Sequence, residues 1–124
     1  MGEGISSSSH VEDQRRTRSS VPEVALHHWL GSVRHRMGIE AVVVTDDQGT
    51  WLGSSGPWAL CGALALLAPT MGEGEARSLS LARAVHVERV QVSERSYLVA
   101  VTGDTDLRAS TDATRAGVAR ILAS

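Results

Sequence analysis

Trp58-Ala59-Leu60-Cys61-Gly62-Ala63-Leu64-Ala65-Leu66-Leu67-Ala68 is the stretch on which the reading of this fold turns. It carries no charge and no strongly polar side chain. At residues 58–68 it is shorter than the ~18 residues a membrane-spanning helix needs, so it reads as a buried helix. Leu60, Leu64 and Leu67 form one stripe; Ala59, Gly62, Ala63 and Leu66 form another. A helix on the surface of a monomer shows a polar face, and this one has none. It therefore needs cover on two sides. One sheet supplies the first cover, and in a chain of 124 residues a second copy of the protein is the expected source of the other. Ala59, Gly62 and Ala63 are small enough for close helix approach there, beside Trp58 and Leu66.

Working outward, Gly56-Pro57 introduces this helix, with Pro57 at its first position, and Pro69 and Gly72 are expected to end it. Before it, Ala41-Val42-Val43-Val44-Thr45 is a β-branched run buried on both faces. Asp46-Asp47-Gln48-Gly49 makes a turn, and Thr50-Trp51-Leu52-Gly53 returns as the second arm of a hairpin. Earlier still, Leu26, Leu30, Val33 and Met37 recur at helical steps, after the capping pattern Ser20-Val21-Pro22-Glu23 and before Gly38.

Downstream, Met71 to Arg77 reads as a loop and Ser78-Leu79-Ser80-Leu81 alternates. Val85 and Val87 alternate too, then Val90 and Val92 after a one-residue slip at Arg89, as a β-bulge would give. Ser93-Glu94-Arg95-Ser96 is a turn and Tyr97-Leu98-Val99-Ala100-Val101 a buried strand. Gly103-Asp104-Thr105-Asp106 leads into a last helix with Leu107, Thr111, Thr114, Val118, Ile121 and Leu122 on one side. The expected class is α+β: a mainly antiparallel sheet of four or five strands with flanking helices, in the order α-β-β-α-β-β(-β)-α.

Composition sets the outer bounds. The chain is 42% apolar and 21% charged with a net charge of −2, which fits one globular domain and is too acidic for a generic nucleic-acid binder. One cysteine excludes an internal disulfide. All 12 basic residues are Arg, and Lys, Asn and Phe are absent, a pattern of GC-rich coding rather than of a binding demand. Residues 1–19 are rich in Ser and Arg, with Arg15, Arg16 and Arg18 balanced by Glu3, Glu12 and Asp13. They hold too little apolar surface to offset ordering entropy and are expected to be a disordered tail. Residues 20–124 form the domain. With no signal-peptide core region, a cytoplasmic location is expected.

Chemical motifs are weak throughout. The histidines at 10, 27, 28, 35 and 86 lack metal-ligand spacing; His28 and His35 stand two turns apart, ~10–11 Å along a helix. Cys61 sits in the most apolar stretch, where a thiol is a small hydrophobe rather than a nucleophile. Gly53-Ser54-Ser55-Gly56 precedes a helix as a phosphate cradle would, but no lysine exists to complete a P-loop. Asp46, Asp47, Asp104, Asp106 and Asp112 are explained by turns and helix caps. No catalytic residue, cofactor site or metal site is expected, and a small hydrolase has no nucleophile–base spacing to rest on.

The order of elements over residues 21–123 resembles the roadblock/dynein light chain family, relatives of the longin and profilin-like folds. The likeness rests on the run from Ala41 to Gly49, the uncharged second helix, and Tyr97 to Val101 leading into the last helix. It implies a non-enzymatic homodimer that scaffolds or regulates a Ras-like small GTPase or joins a motor or signalling assembly. It also implies that the second helix and the strand after it pair across the dimer, which adds Val85 and Val87 to Trp58, Ala59, Gly62, Ala63 and Leu66. The partner surface is then expected on the outer faces of the first and last helices, at His27, Arg34, Arg36 and Arg115. A competing reading is a GAF- or PAS-like sensor with a small ligand between sheet and helices.

Overall fold

The computed structural model describes residues 22–123. Helix α1 occupies 22–37, followed by β1 (Ala41–Asp46), β2 (Trp51–Ser55), α2 (Trp58–Met71), β3 (Gly74–Ser78), β4 (Arg83–Val92), β5 (Arg95–Thr102) and α3 (Leu107–Leu122). The strands form one five-stranded sheet in the order β2-β1-β5-β4-β3, antiparallel throughout. The expected tail and Ser20 capping residue lie outside the described residues.

Valine alternation sorts the sheet into two cores. Val42, Val44, Val99 and Val101 point to one face, where Leu26, Leu30 and Val33 of α1 and Leu107 and Val118 of α3 cover them. Ala41, Val43, Leu98 and Ala100 point to the other and meet Cys61, Leu64, Ala65 and Ala68 of α2. The result is three layers, with α1 and α3 on one side and α2 alone on the other.

Four details differ from the sequence reading. The fifth strand, β3, lies within the segment read as a loop, and the alternating Ser78–Leu81 segment instead ends β3 and turns toward β4. Arg89 makes no bulge: β4 pairs with β5 in unbroken register from Val85↔Thr102 to Val92↔Arg95. The apolar phase changes because Val85 and Val87 face the α2 side while Val90 and Val92 face α1 and α3. Pro57 stands at the N-cap of α2, its carbonyl accepting the Cys61 N–H, so the helix proper starts at Trp58. And α2 runs through Pro69 to Met71 before Gly72, at φ 81°, ends it. Pro69 has no N–H for the Ala65 carbonyl, and the hairpin turn packs there instead. A Cβ on Gly49 would lie 3.2 Å from Pro69 Cγ and 3.4 Å from that carbonyl oxygen.

Two carboxylates fasten the ends of β1. Asp46 Oδ1 accepts the N–H groups of Gln48 and Thr50, each at 2.9 Å, closing the hairpin turn. The Thr50 amide, aided by those of Gln48 and Gly49, holds the Asp46 carboxyl below its ordinary range. Glu40 accepts two bonds from the Arg83 guanidinium, at 2.8 and 3.3 Å, and this contact lowers its pKa likewise. A carboxyl lowered in the fold adds stability above its unfolded pKa and loses it as pH falls through the folded value. Melting temperature should therefore decline as the pH is taken from 5 to 3, and Asp46→Asn should flatten that decline while lowering the neutral-pH value.

Candidate functional site

Helix α2 lies over β1 and β5, and its geometry separates two faces. Cys61, Leu64, Ala65 and Ala68 are buried against the sheet. At 100° per residue the opposite side presents Ala59, Gly62, Ala63, Leu66 and Thr70. Leu66 is 81% exposed and Trp58, at the helix start, 76%. Nothing lies within 4 Å of the position a Cβ would take on Gly62. The small residues thus leave shallow ground around a projecting leucine, on a helix without a single charge. The Trp58 ring meets Trp51 edge to face at 4.6 Å between centroids, which fixes one end of the patch.

Of the expected interface residues, the structure places Trp58, Ala59, Gly62, Ala63 and Leu66 along this outward face or at its margins. Val85 and Val87 are different. Both are fully buried beneath the α2 side of the sheet, so they support the patch from below and present no surface to another chain. The strand that follows α2 is β3, at the sheet edge, with Glu75, Ala76 and Arg77 exposed.

Cys61 is 1% exposed, with Sγ 3.6 Å from the Ser55 carbonyl and 3.9 Å from that of Val42. Burial pushes its thiol pKa up, against the nucleophilic thiolate. Its reaction with a disulfide reagent should be about 100-fold slower in the native protein than in denaturant, as expected of a group exposed only by opening. A fast native reaction would show that α2 is loosely held.

The expected partner residues sit on the far layer. His27 and Arg36 are exposed on α1. The Arg36 guanidinium lies 5.3 Å from the Trp29 ring centre, and Arg120 of α3 lies 5.7 Å from the same ring. Arg34 is half-buried and donates from Nε to the Glu40 carbonyl at 2.9 Å, so it ties α1 to the start of β1. Arg115 is half-buried beside Asp112, at 3.9 Å. Arg34 is thus a tie within the fold, and Arg36 with Arg120 forms the exposed part of the cationic surface.

Sequence periodicity gave no sign of two further features. Trp29 lies over Gly117 and donates from Nε1 to the Thr114 carbonyl at 3.1 Å, joining α1 to α3. His86 is 5% exposed on β4, with Nε2 2.8 Å from Glu88 and Nδ1 3.5 Å from Glu75 of β3. Among the described residues, no group of three or more His, Cys, Asp or Glu is placed to hold a metal ion. None of their helices is long and apolar enough to cross a membrane. Between the sheet and α1 and α3, where a sensor would hold its ligand, the centre is packed by the valine and leucine core, and a groove of about 450 Å³ opens at one end, between the start of α1, the β1–β2 turn and the β4–β5 turn.

The chain matches no protein-family model and no curated protein. Solved structures do match. MglB of Myxococcus xanthus superposes with a TM-score of 0.58 at 14% identity, over 81% of this chain and 89% of that one. The gliding protein MglB from Thermus thermophilus gives 0.56 at 17%, over 82% and 90%. An MglB with a tetrameric arrangement gives the same values. The architecture is therefore the roadblock-like fold of MglB: three helices on an open, five-stranded antiparallel sheet.

Proposed function

We propose that this protein is a non-catalytic homodimer that regulates or scaffolds a Ras-like small GTPase. The observation that carries the reading is the outward face of α2, uncharged along its length and led by Leu66 at 81% exposure. An apolar patch of this kind at a protein surface marks an association site. That an MglB of the same fold takes a tetrameric arrangement supports self-association. The edge strand supports it as well. Two copies of β3 paired antiparallel about Ala76 set Glu75 opposite Arg77 of the other copy, an isologous pairing of opposite charges.

A dimer closed through α2 and β3 keeps α1 and α3 free on the other side of the sheet. That layer carries His27, Arg36 and Arg120, with Arg34 and Arg115 half-buried behind them. Exposed arginine over a tryptophan ring offers a planar cation and an apolar stem together, a pairing common at protein interfaces. The GTPase partner rests on the resemblance to the roadblock family, which implies a partner of that kind.

The test is binding of the purified protein to the Ras-like GTPases of its own genome, each loaded with GDP or a non-hydrolysable GTP analogue. Binding to one of them in one nucleotide state is expected, weakened by Arg36→Glu with the dimer retained. No binding in either state, with the dimer intact, overturns the GTPase reading.

A further inference from the structure

The groove at the start of α1 lies on the α1–α3 side of the sheet, and its floor and rim differ in chemistry. The floor is apolar: Leu26 is buried, while Leu52, Tyr97 and Leu122 are half-buried and leave surface to the opening. The rim is acidic. Glu23 of α1, Asp46 and Asp47 at the β1–β2 turn and Glu94 of the β4–β5 turn stand there with one cation, Arg95. Among the described residues, Glu23, Asp47 and Glu94 belong to no ion pair. The turn amides that hold the Asp46 carboxyl below its ordinary range keep the fourth charge in place. A second hollow of about 300 Å³ adjoins the groove at the β4–β5 turn and shares Glu94, Arg95, Tyr97 and Leu122 with it.

Shape and charge together choose the occupant. Two adjoining hollows suit a length of chain better than a compact ligand, which one enclosed cavity would hold. The apolar floor disfavours a purely ionic ligand, since a charge seated there loses water without gaining a partner. Four carboxylates beside one arginine disfavour an acidic segment, because like charges brought together across an interface are costly. A segment that alternates apolar side chains with arginine or lysine satisfies both surfaces. Its leucine-sized groups cover the floor, and the long aliphatic stems of its basic residues lie along it and carry their cations to the rim. Guanidinium forks match carboxylates and stack on an aromatic face such as that of Tyr97. We propose that this groove docks a basic, leucine-bearing segment of a partner protein. The proposal rests on neither the dimer nor the GTPase reading. The surface proposed for the GTPase, at Arg36 and Arg120, is cationic, and the groove has the opposite charge.

Fluorescence anisotropy of the full chain with a labelled synthetic hexapeptide of alternating arginine and leucine tests it. Saturable binding is expected, weakened about 10-fold by Asp47→Arg combined with Glu94→Arg, the effect of turning two exposed attractions into repulsions. Both residues are exposed on turns, so the double variant should keep the parent's melting temperature. Leu122→Ser, which removes part of the floor and none of the charge, should weaken binding severalfold. A peptide with serine in place of leucine should bind about 10-fold more weakly, and one with glutamate in place of arginine should not bind. Amide NMR shifts on adding the first peptide should cluster at residues 47–52 and 94–97. Absence of binding overturns the proposal, and so does unchanged affinity in the double variant. Equal affinity for the serine peptide overturns it too, by reducing the contact to net charge. Shifts centred on the β3 edge or the outward face of α2 would place the contact elsewhere, and loss of self-association in the double variant would assign the groove to another copy; either result overturns it.

Discussion

Gly117→Ala should lower the melting temperature by about 5–20 °C. The glycine lies in the middle of α3, where alanine would ordinarily stabilise a helix by ~1 kcal/mol. Trp29 reverses that sign. An added Cβ would fall inside the indole, 2.5 Å from Cζ2 and closer still to Cε2 and Nε1. The ring must then move, breaking its 3.1 Å bond to the Thr114 carbonyl and leaving the flanking Arg36 and Arg120 without their aromatic face. Overpacking of this kind costs about 1–3 kcal/mol, and the lost hydrogen bond adds about 1. Set against the helix gain, the net loss is about 1–3 kcal/mol, and each kilocalorie shifts a domain of this size by roughly 4–8 °C. Adding Gly117→Ala to Trp29→Leu should cost almost nothing beyond Trp29→Leu alone, because the two changes act on one contact. A Gly117→Ala protein that melts within about 2 °C of the parent would show that the two helices do not meet there.

Leu66→Glu should produce a well-folded monomer. In the protomer this side chain is 81% exposed on a helix, and glutamate is nearly as good a helix former as leucine. The single chain therefore loses little. In the proposed dimer the same carboxylate would be buried between two uncharged helices without a partner, a penalty of several kcal/mol. The dissociation constant should rise at least ~100-fold, since each ~1.4 kcal/mol is a factor of ten. Ala63→Glu should act in the same direction, but Ala63 is half-buried in the protomer and its variant mixes the two effects. Retention of the parent's mass by Leu66→Glu, with unchanged helicity, would place the interface elsewhere.

Helices and central strands were legible because their burial is periodic. Leu26, Leu30 and Val33 mark the covered side of α1, and the runs from Ala41 and Tyr97 mark strands covered on both faces. The apolar character of the outward side of α2 was legible for a related reason: the helix carries no charge anywhere along its length, so neither of its faces is polar. What was not legible depends on neighbours rather than on period. Strand β3, Gly-Glu-Ala-Arg-Ser, has one strand beside it and mostly exposed side chains, so it shows no alternation to read. Val85 and Val87 looked like interface because they follow α2 in the chain, yet they pair toward β5 and sink under the α2 face. The Trp29–Gly117 contact joins residues far apart in sequence, each unremarkable where it stands. The groove likewise draws its rim from three separate segments.

The central claim is that the outward face of α2 is covered by a second copy of this chain, and light scattering of the unaltered protein tests it most directly. Measured on a size-exclusion column at tens of micromolar, the mass should be about 26 kDa, twice the 13.1 kDa of one chain. A mass of 13.1 kDa under the same conditions would contradict the account, because Leu66 and Trp58 would then face water on a stable monomer.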